Sequence, residues 1–170
     1  MIRAPFDRPE VLAKLRPAYL AARSLILPGA AENKKKFFFK KFFVANRGRY
    51  EVAEGKNSKE LQRFAEALTG ARLKFAWLRV YRFRHGGYSL FYDDAQTRIT
   101  AGVEVTVDLS SAMIGPGAVY ESPRVEIPQS PGLVAIVERG PSTFRYDRYL
   151  PASVGRAQVV RLRAAYIYAH

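Results

Sequence analysis

The side chains able to do chemistry are few, and the missing types narrow the reactions open to this chain. There is no cysteine, which excludes thiol nucleophiles, thiolate metal sites and disulfides. Histidine occurs only at His85 and His170. His85 opens His85-Gly86-Gly87, which reads as a tight turn with the imidazole bonded to backbone. Carboxylates cluster at Asp93-Asp94 and recur at Glu104 and Asp108, yet acid-base work needs a cleft and a partner that the sequence does not place. Ser110-Ser111 has no evident base, and Gly86-Gly87 lacks the pattern of a phosphate-binding loop. Arg161 and Arg163 share one face of the last strand; such a pair suits either carboxylate recognition or a structural or surface role.

The bulk charge points to partners. With 28 Lys plus Arg against 15 Asp plus Glu, the chain carries +13 and an isoelectric point near 10.2, and arginine outnumbers lysine roughly two to one. A small domain so charged repels itself until counter-charge arrives, which favours RNA, an anionic lipid surface or acidic faces of partner subunits. No run approaches the roughly 18 apolar residues of a membrane span. The N-terminus, Met1 to Gly29, is Arg-rich, poor in acids and amphipathic, the character of a mitochondrial targeting segment or of an ordinary basic surface helix.

A chain of 170 residues, 48% hydrophobic and 13% aromatic, suits one well-buried domain with an N-terminal extension. Apolar residues at Val11/Leu12, Leu15, Ala18/Tyr19, Ala22 and Leu25/Ile26 predict a helix over 10–27, kinked or split at Pro17 and closed by Pro28-Gly29. Next, Lys34, Lys35, Lys36, Lys40 and Lys41 interleave with Phe37, Phe38, Phe39, Phe42 and Phe43. This segment reads either as a strand with alternate rings in the core, or as a lipid, RNA or partner contact in which rings insert and lysines neutralise phosphates. Asn57 with Glu60 has capping-box spacing, and Leu61, Phe64, Ala65 and Leu68 continue a second helix to Gly70. From Leu73 the period changes to two, predicting about eight short strands at 74–83, 88–92, 100–109, 118–120, 124–127, 133–138, 144–150 and 158–168. Strands so spaced without helices between them imply a sandwich or jelly roll. The expected organisation is a basic extension over 1–56, and a mostly β domain with its packing helix over 57–170.

In this order the strands resemble the double-stranded β-helix of the 2-oxoglutarate/iron(II)-dependent oxygenases, in the prolyl-hydroxylase-like branch. Tyr88-Ser89-Leu90-Phe91-Tyr92-Asp93-Asp94 stands where that branch has the strand ending in its His-x-Asp motif. Gly115-Pro116-Gly117-Ala118-Val119-Tyr120 resembles its Gly-rich turn and following strand, and Pro131 to Val137 the strand before the distal histidine. Phe144-Arg145-Tyr146 falls where that histidine is expected, and Arg161-Leu162 where an arginine binds the cosubstrate.

The resemblance implies metal positions at Tyr92, Asp94 and Arg145, and a vestigial cosubstrate site at Arg161 or Arg163. Two imidazoles and a carboxylate are needed for iron of this type. Arg145 cannot ligate, because guanidinium keeps its proton and has no acceptor. Sliding the register to His85 replaces the carboxylate with glycine. The expectation is therefore a pseudoenzyme without metal or cofactor, used as a structural subunit of a large assembly. A mitochondrial one is favoured: a respiratory-chain or ATP-synthase complex, or a mitochondrial ribosome. The rivals are an oxygenase with a remodelled metal site using Tyr92, Asp94 and His85, and a metal-free sensor holding 2-oxoglutarate on Arg161 or Arg163.

Overall fold

The computed structural model describes residues 1–32, 43–45, 49–90 and 99–169. Helix α1 spans Pro9–Ala22, followed by strands β1 (Ser24–Leu27), β2 (Phe43–Ala45) and β3 (Tyr50–Gly55). Helix α2 (Lys59–Thr69) leads into β4 (Leu73–Phe83), β5 (Gly102–Asp108), β6 (Ala118–Glu121), β7 (Val125–Ile127), β8 (Val134–Arg139), β9 (Phe144–Asp147) and β10 (Val159–Tyr168). The strands form a seven-stranded antiparallel sheet, in the order β1-β8-β5-β10-β4-β3-β2, and a three-stranded sheet, β7-β6-β9. The expected jelly roll with flanking helices is the observed fold.

Alternation sorts the large sheet into two faces. Val103, Val105 and Val107 of β5, with Leu162, Ala164 and Tyr166 of β10, belong to the apolar cluster that also holds residues of both helices. From α2 come Leu61, Phe64, Ala65 and Leu68, at the predicted helical spacing. The opposite face of the same strands, including Glu104, Thr106, Arg161 and Arg163, looks toward the small sheet and is equally buried. Only glycine lets β5 begin so near β10, since a Cβ at Gly102 would stand 2.0 Å from the Tyr166 carbonyl oxygen.

Three expectations are corrected. First, α1 runs unbroken through Pro17. Ala13 and Pro17 both face solvent, so water can satisfy the Ala13 carbonyl that proline leaves without a donor. The helix also ends before Leu25 and Ile26: Arg23 takes a left-handed conformation at φ 55°, and Ser24–Leu27 pair with Val134 to Val137. A short apolar run fits both periods, and the waiting edge of β8 decides it.

Second, Ser58 rather than Asn57 caps α2, its Oγ accepting from the Leu61 N–H at 3.4 Å. Asn57 donates to Gln62 instead, and Glu60 accepts the Ile2 N–H at 2.8 Å.

Third, residue 56 is not a structural boundary. The segment before it supplies three strands of the large sheet, and Met1, Ile2, Leu12 and Tyr19 join its apolar cluster. Of the Lys/Phe segment, residues 34–42 lie outside the described residues. Phe43 and Val44 form β2 and are 52% and 66% exposed, so this end of the segment does not enter the core. Strand 88–92 is described only to Leu90, and 88–90 is not assigned as a strand; the segment nevertheless runs beside β9, with the Ser89 N–H donating to the Asp147 carbonyl at 3.1 Å.

Leu68 is fully buried under the sheet whereas Leu20 is exposed. Leu68→Ala is expected to lower unfolding free energy by about 2–5 kcal/mol, and Leu20→Ala to change it by no more than about 0.5 kcal/mol, both read from urea unfolding.

Candidate functional site

Between the two sheets, where the resemblance places a metal and a cosubstrate, lies a buried network of charge. Its acids are Glu104 on β5 and Asp147 on β9; its bases are Arg139 on β8, Arg145 on β9, and Arg161 and Arg163 on β10. None of the six exposes more than a few per cent of its surface. Carboxylates are rarely buried this deeply unless paired, and the pairing here is reciprocal between sheets.

Glu104, on the large sheet, accepts from Arg139 at 2.5 Å and from Arg145 of the small sheet. The Tyr120 hydroxyl of β6 also donates to it, at 2.7 Å. Asp147, on the small sheet, accepts from both large-sheet arginines of β10. Arg163 engages its two oxygens at 2.5 and 3.0 Å, and Arg161 donates to Oδ1. Ser89 Oγ donates to Asp147 Oδ2 at 2.7 Å while accepting the Asp147 N–H at 2.8 Å.

Backbone carbonyls take further guanidinium donors: Arg161 bonds the Pro116 oxygen at 3.0 Å and Arg139 the Thr143 oxygen at 3.2 Å. Aromatic faces cover the cations. Arg163 lies 5.0 Å from the centre of the Tyr81 ring, Arg145 5.5 Å from the same ring, Arg161 5.9 Å from Phe83 and Arg139 5.6 Å from Tyr120. Such placement adds cation–π attraction where water is excluded.

Burial alone would raise the Asp147 pKa, but the charges of Arg163 and Arg161 outweigh it and hold the carboxyl well below its ordinary value. Burial pulls the Arg161 guanidinium down in spite of Asp147, whereas at Arg163 the attraction of Asp147 wins and the value rises. Burial, reinforced by Glu104, pushes the Tyr120 phenol upward, so at neutral pH it remains a hydroxyl donor.

The sequence-derived positions fall as follows. Arg145, Arg161 and Arg163 all lie in this network, and neither β10 arginine is on the surface. Tyr92 and Asp94 lie outside the described residues. His85 does not join the network: it sits exposed in the expected turn and lines a surface depression of about 230 Å³ with Arg49, Glu51, Arg82 and Arg84. Asp108 organises a loop instead, accepting from the N–H groups of Ser110 and Ser130 and from the Gln129 amide. Arg139 and Asp147 were not singled out by sequence. A charged residue on a strand reads as solvated by default; the signal available was that Arg139 shares the face of Ala135 and Val137 on β8.

The described residues of this interior do not fit an iron(II) ion. At Arg145, where the resemblance implies the distal histidine, stands a guanidinium without a lone pair. Both carboxylates already accept from guanidiniums, and a dication would face four like charges. Among the described residues no three His, Cys, Asp or Glu side chains gather as a metal would need.

No protein-family model matches the chain, and no curated protein matches it in sequence. Solved structures do match its fold. A 2OG-Fe(II) oxygenase family oxidoreductase from Burkholderia pseudomallei superposes with a TM-score of 0.65 at 13% identity, covering 92% of this chain and 89% of that one. The non-heme alpha ketoglutarate dependent epimerase SnoN of nogalamycin biosynthesis gives 0.66 at 12%, covering 95% and 84%. A prolyl hydroxylase from Trichoplax adhaerens gives 0.62 at 12%, covering 95% and 91%. The fold is thus the double-stranded β-helix of these oxygenases, as the strand order implied.

Asp147→Asn leaves two buried guanidiniums without their carboxylate, and a loss of about 3–5 kcal/mol is expected at pH 7. Because the native carboxyl is depressed, its contribution is complete above the unfolded aspartate value of about 3.9 and fades as pH falls toward the native value. The stability gap between wild type and variant should therefore narrow below about pH 4, a change that urea titrations from pH 7 to pH 3 would resolve.

Proposed function

We propose that this chain is a non-catalytic protein built on an oxygenase fold and used for its surface, as a structural subunit of a larger assembly. The observation that carries this reading is the interior network: arginines and internal carboxylates fill the space in which an oxygenase of this fold works. Side chains engaged with one another in this way fix how the two sheets face each other and offer little to a substrate.

The surface supplies the other half of the argument. The network accounts for only a small part of the net +13, so most of the excess positive charge is available to an anionic partner: RNA, lipid headgroups or acidic protein faces. A mitochondrial assembly, respiratory, ATP-synthase or ribosomal, is the version that the N-terminal composition favours. In that version the segment stays with the folded protein, because Leu12 and Tyr19 of α1 are buried in the core and β1 is paired with β8.

The rival readings find less support. A 2-oxoglutarate sensor needs Arg161 or Arg163 to face an open pocket, and both are bound to Asp147. A remodelled metal site using His85 would require that exposed turn residue to leave its surface depression.

Anaerobic iron(II) and 2-oxoglutarate titration of the purified chain, followed by oxygen, is the direct test. Neither stoichiometric iron nor 2-oxoglutarate decarboxylation is expected, and turnover would overturn the non-catalytic reading. The assembly reading expects the endogenous chain to migrate far above its own 19.2 kDa under native conditions; migration as a monomer would overturn it.

A further inference from the structure

The network has the form of a receptor with its ligand already in place. Arg163 offers both terminal nitrogens to the two oxygens of one carboxylate, Arg161 adds a second cation and Ser89 a hydroxyl. A planar fork, a further positive charge and a neutral donor are what a protein assembles to hold a small carboxylate. Tyr81 and Phe83 wall the two guanidiniums, and water is excluded.

The carboxylate held there belongs to the chain. Asp147 closes β9, an edge strand of the small sheet, and is fixed by pairing with Ala118 of β6 on one side and by the Ser89 backbone on the other. We propose that Asp147 is a built-in ligand, that it keeps this arginine clamp closed to free carboxylates, and that removing its side chain opens a site for acetate. The chemistry is specific about size: the aspartate side chain is a methylene carboxylate, one hydrogen short of acetate, so Asp147→Gly leaves room for that ion on the same donors. With one carboxylate fewer among four guanidiniums, the emptied site also attracts an anion more strongly than the filled one.

The inference does not rest on the assembly reading; iron binding and native size decide that one, whereas carboxylate rescue decides this one. Thermal unfolding of the full chain would be compared in sodium acetate and in sodium chloride at equal ionic strength. Wild type should melt at the same temperature in both salts. Asp147→Gly should melt lower in chloride and recover saturably in acetate, by at least about 3 °C at high concentration. Asp147→Asn, whose neutral amide fills the space, should show no such recovery.

Equal melting of Asp147→Gly in the two salts overturns the proposal. If that variant does not fold in chloride, refolding in acetate replaces melting as the measurement; recovery of folded chain in acetate alone supports the proposal, and failure in both salts counts against it. Calorimetric titration of wild type with acetate and with 2-oxoglutarate gives an independent check: no heat of binding is expected, and saturable binding of either would show that the clamp is open.

Discussion

A charged group removed from water keeps its charge only if the protein replaces the solvation that is lost, and in this fold that requirement ties two sheets together. Each sheet contributes one acid to the network, and each of the two accepts from an arginine on the opposite sheet: Glu104 from Arg145, Asp147 from Arg161 and Arg163. Neither sheet can shift without separating charges in a dry interior, where separation costs far more than at the surface. The jelly roll therefore has two centres of different character. One is the apolar layer between the large sheet and its helices, which favours burial without specifying direction. The other is the polar layer between the sheets, whose paired geometry sets how the sheets face each other.

This division explains how a fold shared with oxygenases can have an interior of a different kind. The strands that the resemblance marks for functional groups bring side chains to one place, and there Arg145, Arg161 and Arg163 join the ion network. Tyr120 illustrates the result. Its hydroxyl donates to Glu104 and lies 3.1 Å from Thr106 Oγ1, so a residue on the strand after the Gly-Pro-Gly turn serves the ion network. The donor set belongs to a closed structure, in which each guanidinium and each carboxylate of the network already has a partner inside the chain.

Much of this was legible in the sequence, and the misreadings share a cause. The alternation of Val103, Val105 and Val107 gave β5, and the Leu61–Phe64–Leu68 spacing gave α2, because each pattern reports one face packed on one neighbour. Arg145 could be excluded as a metal ligand from side-chain chemistry alone. The destination of Arg139, Arg161, Arg163 and Asp147 was not legible, because a buried strand face can carry charge only if a partner exists elsewhere in the chain. Pairings of that kind connect residues as distant as Glu104 and Arg145, and no local pattern announces them. Leu25 and Ile26 were assigned to a helix for a related reason: the edge of β8 that draws them into a strand lies more than a hundred residues away.

The strand order also constrains how the protein is made. β10, the last of the described strands in chain order, lies in the middle of the large sheet, between β5 and β4. Until it arrives, β4 and β5 each present an unpaired edge, and Glu104 lacks the sheet partner across which its surroundings are organised. The sheet cannot be completed until β10 has been made; it closes in a long-range step, the kind of topology that folds slowly and exposes strand edges in the interval. A nascent chain of this design depends on being shielded from self-association until β10 emerges, and a chain truncated before β10 has two open edges at its centre.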